Sequence, residues 1–151
     1  TSWSINGDLA IKINKKVAIL GEFFYGENLK QYLGGVSQGV NPIGGALPTM
    51  GGWGMLQLRA SDKMLFNAGY GFDDPDDAEW MVPEDTLTYT LKDWNSEMFV
   101  NLMYSLTSNV SLMFEGAYLQ TKYLDRTFGG DDVTGDYNGF RAQFAVKATI
   151  K

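Results

Sequence analysis

Hydrophobic and polar residues alternate along most of this chain. Seven segments place an apolar residue at every second position, the period of a strand whose successive side chains leave opposite faces. The alternation predicts strands at 3–13, 16–26, 53–60, 63–72, 96–106, 110–122 and 138–150. In the first, Ile5, Gly7, Leu9, Ile11 and Ile13 share one face, and Ser4, Asn6, Asp8 and Lys12 share the other. In the last, Phe140, Ala142, Phe144, Val146, Ala148 and Ile150 oppose Arg141, Gln143, Lys147 and Thr149. The five strands between repeat the design. One face is free of charge, and the other, mixed face carries every charge of the strand cores.

The connections also alternate. Three are tight, at 14–15, 61–62 and 107–109, and are made of turn-prone Asn, Lys, Ser, Asp and Thr. Three are long, at about 27–52, 73–95 and 123–137. Alternate connections of an up-and-down sheet lie at opposite ends, so all short turns share one end and all long loops the other. Outer-membrane barrels have this asymmetry. Segment 86–92 alternates as well, and either extends the fifth strand or forms a small hairpin.

Alternation does not say which face is wet. A soluble barrel would bury the charge-free face as its core, whereas a membrane barrel would turn it toward lipid. The mixed face carries Phe24, Trp53, Met55, Phe99, Met103 and Leu119, a large apolar burden for a soluble surface. Trp3, Tyr25, Tyr70, Phe72, Tyr104, Tyr118 and Tyr123 fall near strand ends, where aromatic girdles sit. Most strands approach the ~9–11 residues of a tilted crossing. The expected class is all-β: an antiparallel up-and-down transmembrane β-barrel of about seven strands, with outer-membrane lipid as its partner. No stretch reaches the ~18 apolar residues of a membrane helix.

Seven is odd, and single-chain bacterial barrels close with an even number. The expectation is therefore the C-terminal part of a larger barrel, completed by a preceding segment of the same barrel or by another chain. The rival is an eight-stranded barrel in which 86–92, or part of 27–52, supplies the missing strand. The start at Thr1-Ser2-Trp3, without Met or a leader pattern, reads as a processed or excised piece.

Composition narrows the chemistry. With no histidine and no cysteine, Ser-His-Asp and Cys-His catalysis, disulfides and thiolate metal sites are excluded. A zinc site would need carboxylates alone. Twelve basic against eighteen acidic residues, net charge −6, argue against a nucleic-acid partner. No cofactor is expected.

If the mixed face lines a lumen, its charges are Asp8, Lys12, Lys16, Glu22, Arg59, Glu97, Glu115, Arg141 and Lys147. Charges of this kind set ion selectivity in pores. The alternative is a set of structural ion pairs filling a narrow interior. Arg59 and Arg141 are the stronger selectivity candidates, because a guanidinium stays charged when partly desolvated. Glu22, Glu97 and Glu115 lie on different strands without a nucleophile motif, so no enzyme is expected.

The acidic run Asp73, Asp74, Asp76 and Asp77 offers oxygen ligands to a divalent cation. It lacks the spacing of a calcium loop, and its commoner reading is a solvated loop. The 27–52 loop is rich in glycine and apolar, with Leu33, Val36, Val40, Ile43, Leu47 and Met50. It is expected to fold into the lumen as a constriction or to pack against a neighbouring subunit.

The stretches SWSINGDLAIKI, GEFFYGENLKQYLGGVSQGVN, GGWGMLQLRASDKMLFNAGYGFDDPDD and NLMYSLTSNVSLMFEGAYLQTKY resemble the C-terminal region of porin-like outer-membrane proteins of Gram-negative bacteria. The resemblance implies a β-barrel channel in the outer membrane, a homo-oligomer such as a trimer, and passive diffusion of small hydrophilic solutes. Such proteins commonly end on an aromatic residue, whereas this chain ends Thr149-Ile150-Lys151. The second functional expectation is a small closed barrel acting as a structural or adhesive anchor without a pore, and a third is a soluble ligand-binding barrel.

Overall fold

The structure, a computed structural model, describes residues 1–32, 34–76, 89–126 and 133–149. The chain is all-β. Seven strands follow one another in a single antiparallel sheet: β1 Trp3–Lys12, β2 Val17–Glu27, β3 Pro48–Arg59, β4 Met64–Pro75, β5 Tyr89–Ser105, β6 Val110–Arg126 and β7 Val133–Ala148. The sheet is open, because no pairing joins β1 to β7 among the described residues. Two short 3₁₀ turns, Lys30–Tyr32 and Gly35–Ser37, lie in the β2–β3 connection.

Short polar side chains make the tight turns. Asn14 Oδ1 accepts from Lys16 N at 2.7 Å and Val17 N at 3.0 Å. Thr107 Oγ1 accepts from Asn109 N at 3.2 Å and Val110 N at 3.0 Å. Ser61 Oγ accepts from Lys63 N at 3.3 Å. Each turn satisfies backbone donors that the ladder leaves over, which fixes the hairpin register without glycine.

That register keeps the two faces separate across all seven strands. Ile11, Ile19, Leu56, Ala68, Val100, Gly116 and Ala142 form one continuous row, each paired with the next. Each strand contributes an apolar band of the same length: Ile5 to Ile13, Val17 to Tyr25, Met50 to Leu58, Met64 to Phe72, Met98 to Leu106, Val110 to Tyr118, Phe140 to Ala148. At about 3.4 Å per residue each spans roughly 27 Å along its strand. The band is oblique to the pairing rows. Ile5 sits at its loop-side edge on β1. Phe140, at the same edge of β7, connects through Tyr118, Met98, Tyr70, Gly54 and Gly21 to Leu9, four residues further along β1. Four residues of rise against six strand spacings of about 4.8 Å incline the strands by roughly 25° to the band.

Nothing among the described residues covers this band. Ile5 is 69% exposed and Phe140 75% exposed, and most other large members are exposed too. The small core lies at the loop end, where Leu47, 1% exposed, packs with the cross-strand pair Leu91 and Leu124.

Several strands run longer than alternation predicts, and the long loops are correspondingly shorter. β3 starts at Pro48, because its glycine-rich beginning pairs backbone to backbone with β2 whatever its side chains. β5 includes Tyr89–Lys92, so the alternating 86–92 segment extends the fifth strand where it is described, and 86–88 lie outside the described residues. A bulge between Lys92 and Trp94 reverses the parity there, which separates this stretch from the strand that alternation places at 96–106. β6 continues to Arg126, and β7 begins at Val133.

Candidate functional site

The mixed face holds the chemistry. Its rows run perpendicular to the strands, so residues distant in sequence become neighbours. Asp8 pairs with Glu22, which pairs with Trp53, and the row continues through Gly71, Glu97 and Leu119. Trp53 Nε1 donates to Glu22 Oε2 at 3.4 Å. One row nearer the turns stand Ala10, Leu20, Met55, Gly69, Phe99, Ala117 and Arg141.

Arg141 is the meeting point of three predicted residues. Its Nη2 donates to Glu97 Oε1 at 2.6 Å and to Glu115 Oε1 at 3.1 Å. Two carboxylates share one guanidinium, leaving the group one negative charge in excess. All three side chains are partly exposed, at 29–40%, so water screens the pairs and each contributes about 0–1 kcal/mol. Nε of Arg141 is buried and has no hydrogen-bond partner among the described residues.

The other predicted charges stand apart. Lys12 pairs across β1–β2 with Ala18, Arg59 with Leu65 and Lys147 with Ser111. Lys16 lies beside Arg59, whose N donates to the Lys16 carbonyl at 2.7 Å. The structural-pairing alternative thus fits Glu97, Glu115 and Arg141, whereas Lys12, Lys16, Arg59 and Lys147 make no ion pair among the described residues.

Uncharged partners add a ladder that charge alone did not reveal. Gln57 Nε2 donates to Asn67 Oδ1 at 3.2 Å, and Asn67 Nδ2 donates to Asn101 Oδ1 at 2.7 Å. Thr121 Oγ1 donates to Asn95 Oδ1 at 2.8 Å. Parity was the available signal, since each falls on the mixed face by the period-2 count.

The β2–β3 connection folds back over this face and is strapped down at two points. Asp73 accepts from Gly35 N at 3.1 Å, Val36 N at 2.7 Å and Thr49 Oγ1 at 3.0 Å. Gln38 meets the Lys92 backbone both ways, Oε1 accepting from its N at 2.8 Å and Nε2 donating to its O at 2.7 Å. Lys92 reaches back from Nζ to the Val36 carbonyl at 3.4 Å. Gly35, Val36 and Ser37 have φ of 65°, 50° and 65°. For a β-branched residue such as Val36 this left-handed backbone is strained, so the Asp73 bonds hold a conformation the sequence would otherwise leave.

The acidic run therefore divides. Asp73 and Asp74 belong to β4, and the Asp73 carboxylate is committed to the strap. Asp76 follows the strand, and Asp77 lies outside the described residues. Among the described residues no three His, Cys, Asp or Glu side chains converge on a metal-sized site. No helix among them is long and apolar enough to cross a membrane, which says nothing about crossing by strands. Compared with known proteins, the chain matches no family model, no curated protein and no solved structure.

Proposed function

We propose that this chain forms part of the wall of a porin-like transmembrane β-barrel in the bacterial outer membrane, with the charge-free band toward lipid and the mixed face toward a water-filled lumen. The observation that carries the reading is the band itself. It is uncovered, continuous over seven strands, equal in length on each, and opposite a face holding all the strand-core charges. Seventeen or more large apolar side chains facing water would drive aggregation, whereas an apolar belt about 25 Å tall is what a bilayer solvates. The oblique course of the band supports tilted strands. The two unpaired edges call for further strands, from a preceding segment of the same barrel or from another chain, and a homo-oligomer such as a trimer fits the same reading.

The proposed activity is passive diffusion of small hydrophilic solutes or ions, without a catalytic step. Asp8, Lys12, Lys16, Glu22, Arg59, Glu97, Glu115, Arg141 and Lys147 line the path, and the 28–47 strap narrows it from the loop side. A second reading, an anchoring barrel without a pore, is favoured by the Gln57–Asn67–Asn101 ladder and the Arg141 pairs, which tie interior side chains to one another.

Single-channel recording of the detergent-extracted native assembly in a planar bilayer separates the two. Discrete steps of open-channel size are expected. A silent bilayer, with insertion verified, would overturn the porin reading in favour of the anchor.

A further inference from the structure

The charges of the mixed face are sorted by depth. Depth is measured inward from the loop-side edge of the apolar band, the residues Ile5, Tyr25, Met50, Phe72, Met98, Tyr118 and Phe140. Asp8, Glu22 and Glu115 each lie three residues inside that edge, and Glu97 lies one residue outside it. Lys12 and Lys147 lie seven residues inside, and Lys16, Arg59 and Lys63 nine. The exceptions are Arg141, one residue inside and bound to two carboxylates, and Lys92, outside the edge beyond the bulge, whose Nζ donates to the Val36 carbonyl. Lys12, Lys16, Arg59, Lys63 and Lys147 make no ion pair among the described residues.

Register makes this a property of the wall and not of separate strands. Lys16 adjoins Arg59 through the backbone bond between them, and Ser105 N donates to the Lys63 carbonyl at 2.9 Å, in line with Ser111 and Lys147. The acidic zone and the basic zone are four to six residues apart, roughly 14–20 Å along the strand at about 3.4 Å per residue. At about 0.1 M salt the screening length is near 10 Å, so the two zones act as separate regions.

We propose that this axial separation of charge makes the path rectify, passing more current when the loop side is positive. The inference rests on the porin reading. Mobile cations gather beside the carboxylates of the loop half, and mobile anions gather beside the ammonium and guanidinium groups of the turn mouth. A voltage positive on the loop side drives both populations inward and raises the carrier density. The opposite voltage pulls both outward and depletes the middle. A small solute carrying both charges is aligned by the same field, its cationic end toward the loops.

The test is the current–voltage curve of the native assembly in a planar bilayer at about 0.1 M and at about 1 M salt, where the screening length shrinks to ~3 Å. Orientation is fixed by a Lys15→Cys variant, since the chain has no cysteine, and by which chamber's membrane-impermeant maleimide alters the current. The expected result is larger current with the loop side positive at low salt and loss of the asymmetry at high salt. A variant carrying Lys12→Gln, Lys16→Gln, Arg59→Gln, Lys63→Gln and Lys147→Gln should also lose the asymmetry while remaining open. An open channel with a symmetric curve at low salt, or an asymmetry the five substitutions leave intact, overturns the inference and spares the porin. An inserted but silent assembly overturns both.

Discussion

The ring of Phe99 lies over Gly69 on the neighbouring strand. A Cβ added to Gly69 would stand 2.5 Å from the ring's Cζ and 2.8 Å from the Gly54 carbonyl oxygen. The ring occupies the space that a side chain would take, an aromatic covering a strand glycine. Gly69→Ala should therefore cost about 1–3 kcal/mol, read as a lower unfolding midpoint in detergent. Pairing it with Phe99→Leu should recover part of the loss, although the Gly54 contact remains. Unchanged stability of Gly69→Ala would show that the ring has another place to go.

The strap hangs on one carboxylate. Asp73→Asn keeps the shape but removes the charge that accepts from Gly35 N and Val36 N. Hydrogen bonds to a charged group contribute about 1.5–3 kcal/mol each, so the strap should loosen while the sheet stays intact. Limited proteolysis should then cut within 28–47 at rates the parent chain does not show, with little change in the sheet's unfolding midpoint. Equal protease resistance would mean that the Gln38–Lys92 pairing holds the segment without help.

The faces can be told apart by label. With no native cysteine, Leu102→Cys and Met103→Cys place spin labels on adjacent residues of opposite faces. In a bilayer the label at 102 should be relaxed by oxygen and the label at 103 by a water-soluble nickel chelate. The opposite assignment would turn the sheet inside out.

Charge on the band should cost more than charge opposite it. Phe114→Arg, midway along the band, should cost about 2–4 kcal/mol of insertion free energy. Gln143→Arg on the mixed face should insert normally. Comparable folding yields for both would count against lipid contact.

Removing Arg141 should expose its partners. Arg141→Gln leaves Glu97 and Glu115 without a shared cation. The cation-to-anion permeability ratio of the open assembly should rise, while stability changes by no more than about 1 kcal/mol for such screened pairs. A ratio that stays level or falls would show that this guanidinium does not govern which ions pass.

The two faces were legible because period-2 patterning survives wherever one side of a sheet must stay apolar. Their continuity across strands was not, since it depends on register, which the turns set. The bulge after Lys92 shows where patterning breaks: one additional residue reverses parity, so the alternating 86–92 stretch and the strand predicted from 96 read as separate segments. Asp73 shows a different gap. Four aspartates within five positions look like a solvated loop, and nothing nearby indicates that two of them belong to a strand or that the partner of Asp73 lies 37 residues upstream. The Arg141 contacts, spanning 26 and 44 residues, were invisible for the same reason.

The strap also carries a clock. Its first fastening, from Val36 to Asp73, cannot close until the β3–β4 hairpin exists, and its second, from Gln38 to Lys92, waits for the start of β5. The strained left-handed turn has nothing to hold it before then. A chain arrested after β2, or after β3, would thus carry a loose 28–47 segment exposed to quality-control proteases. Closure of the strap thus requires β4 and the start of β5 to be in place, so a sheet lacking either leaves the segment unfastened.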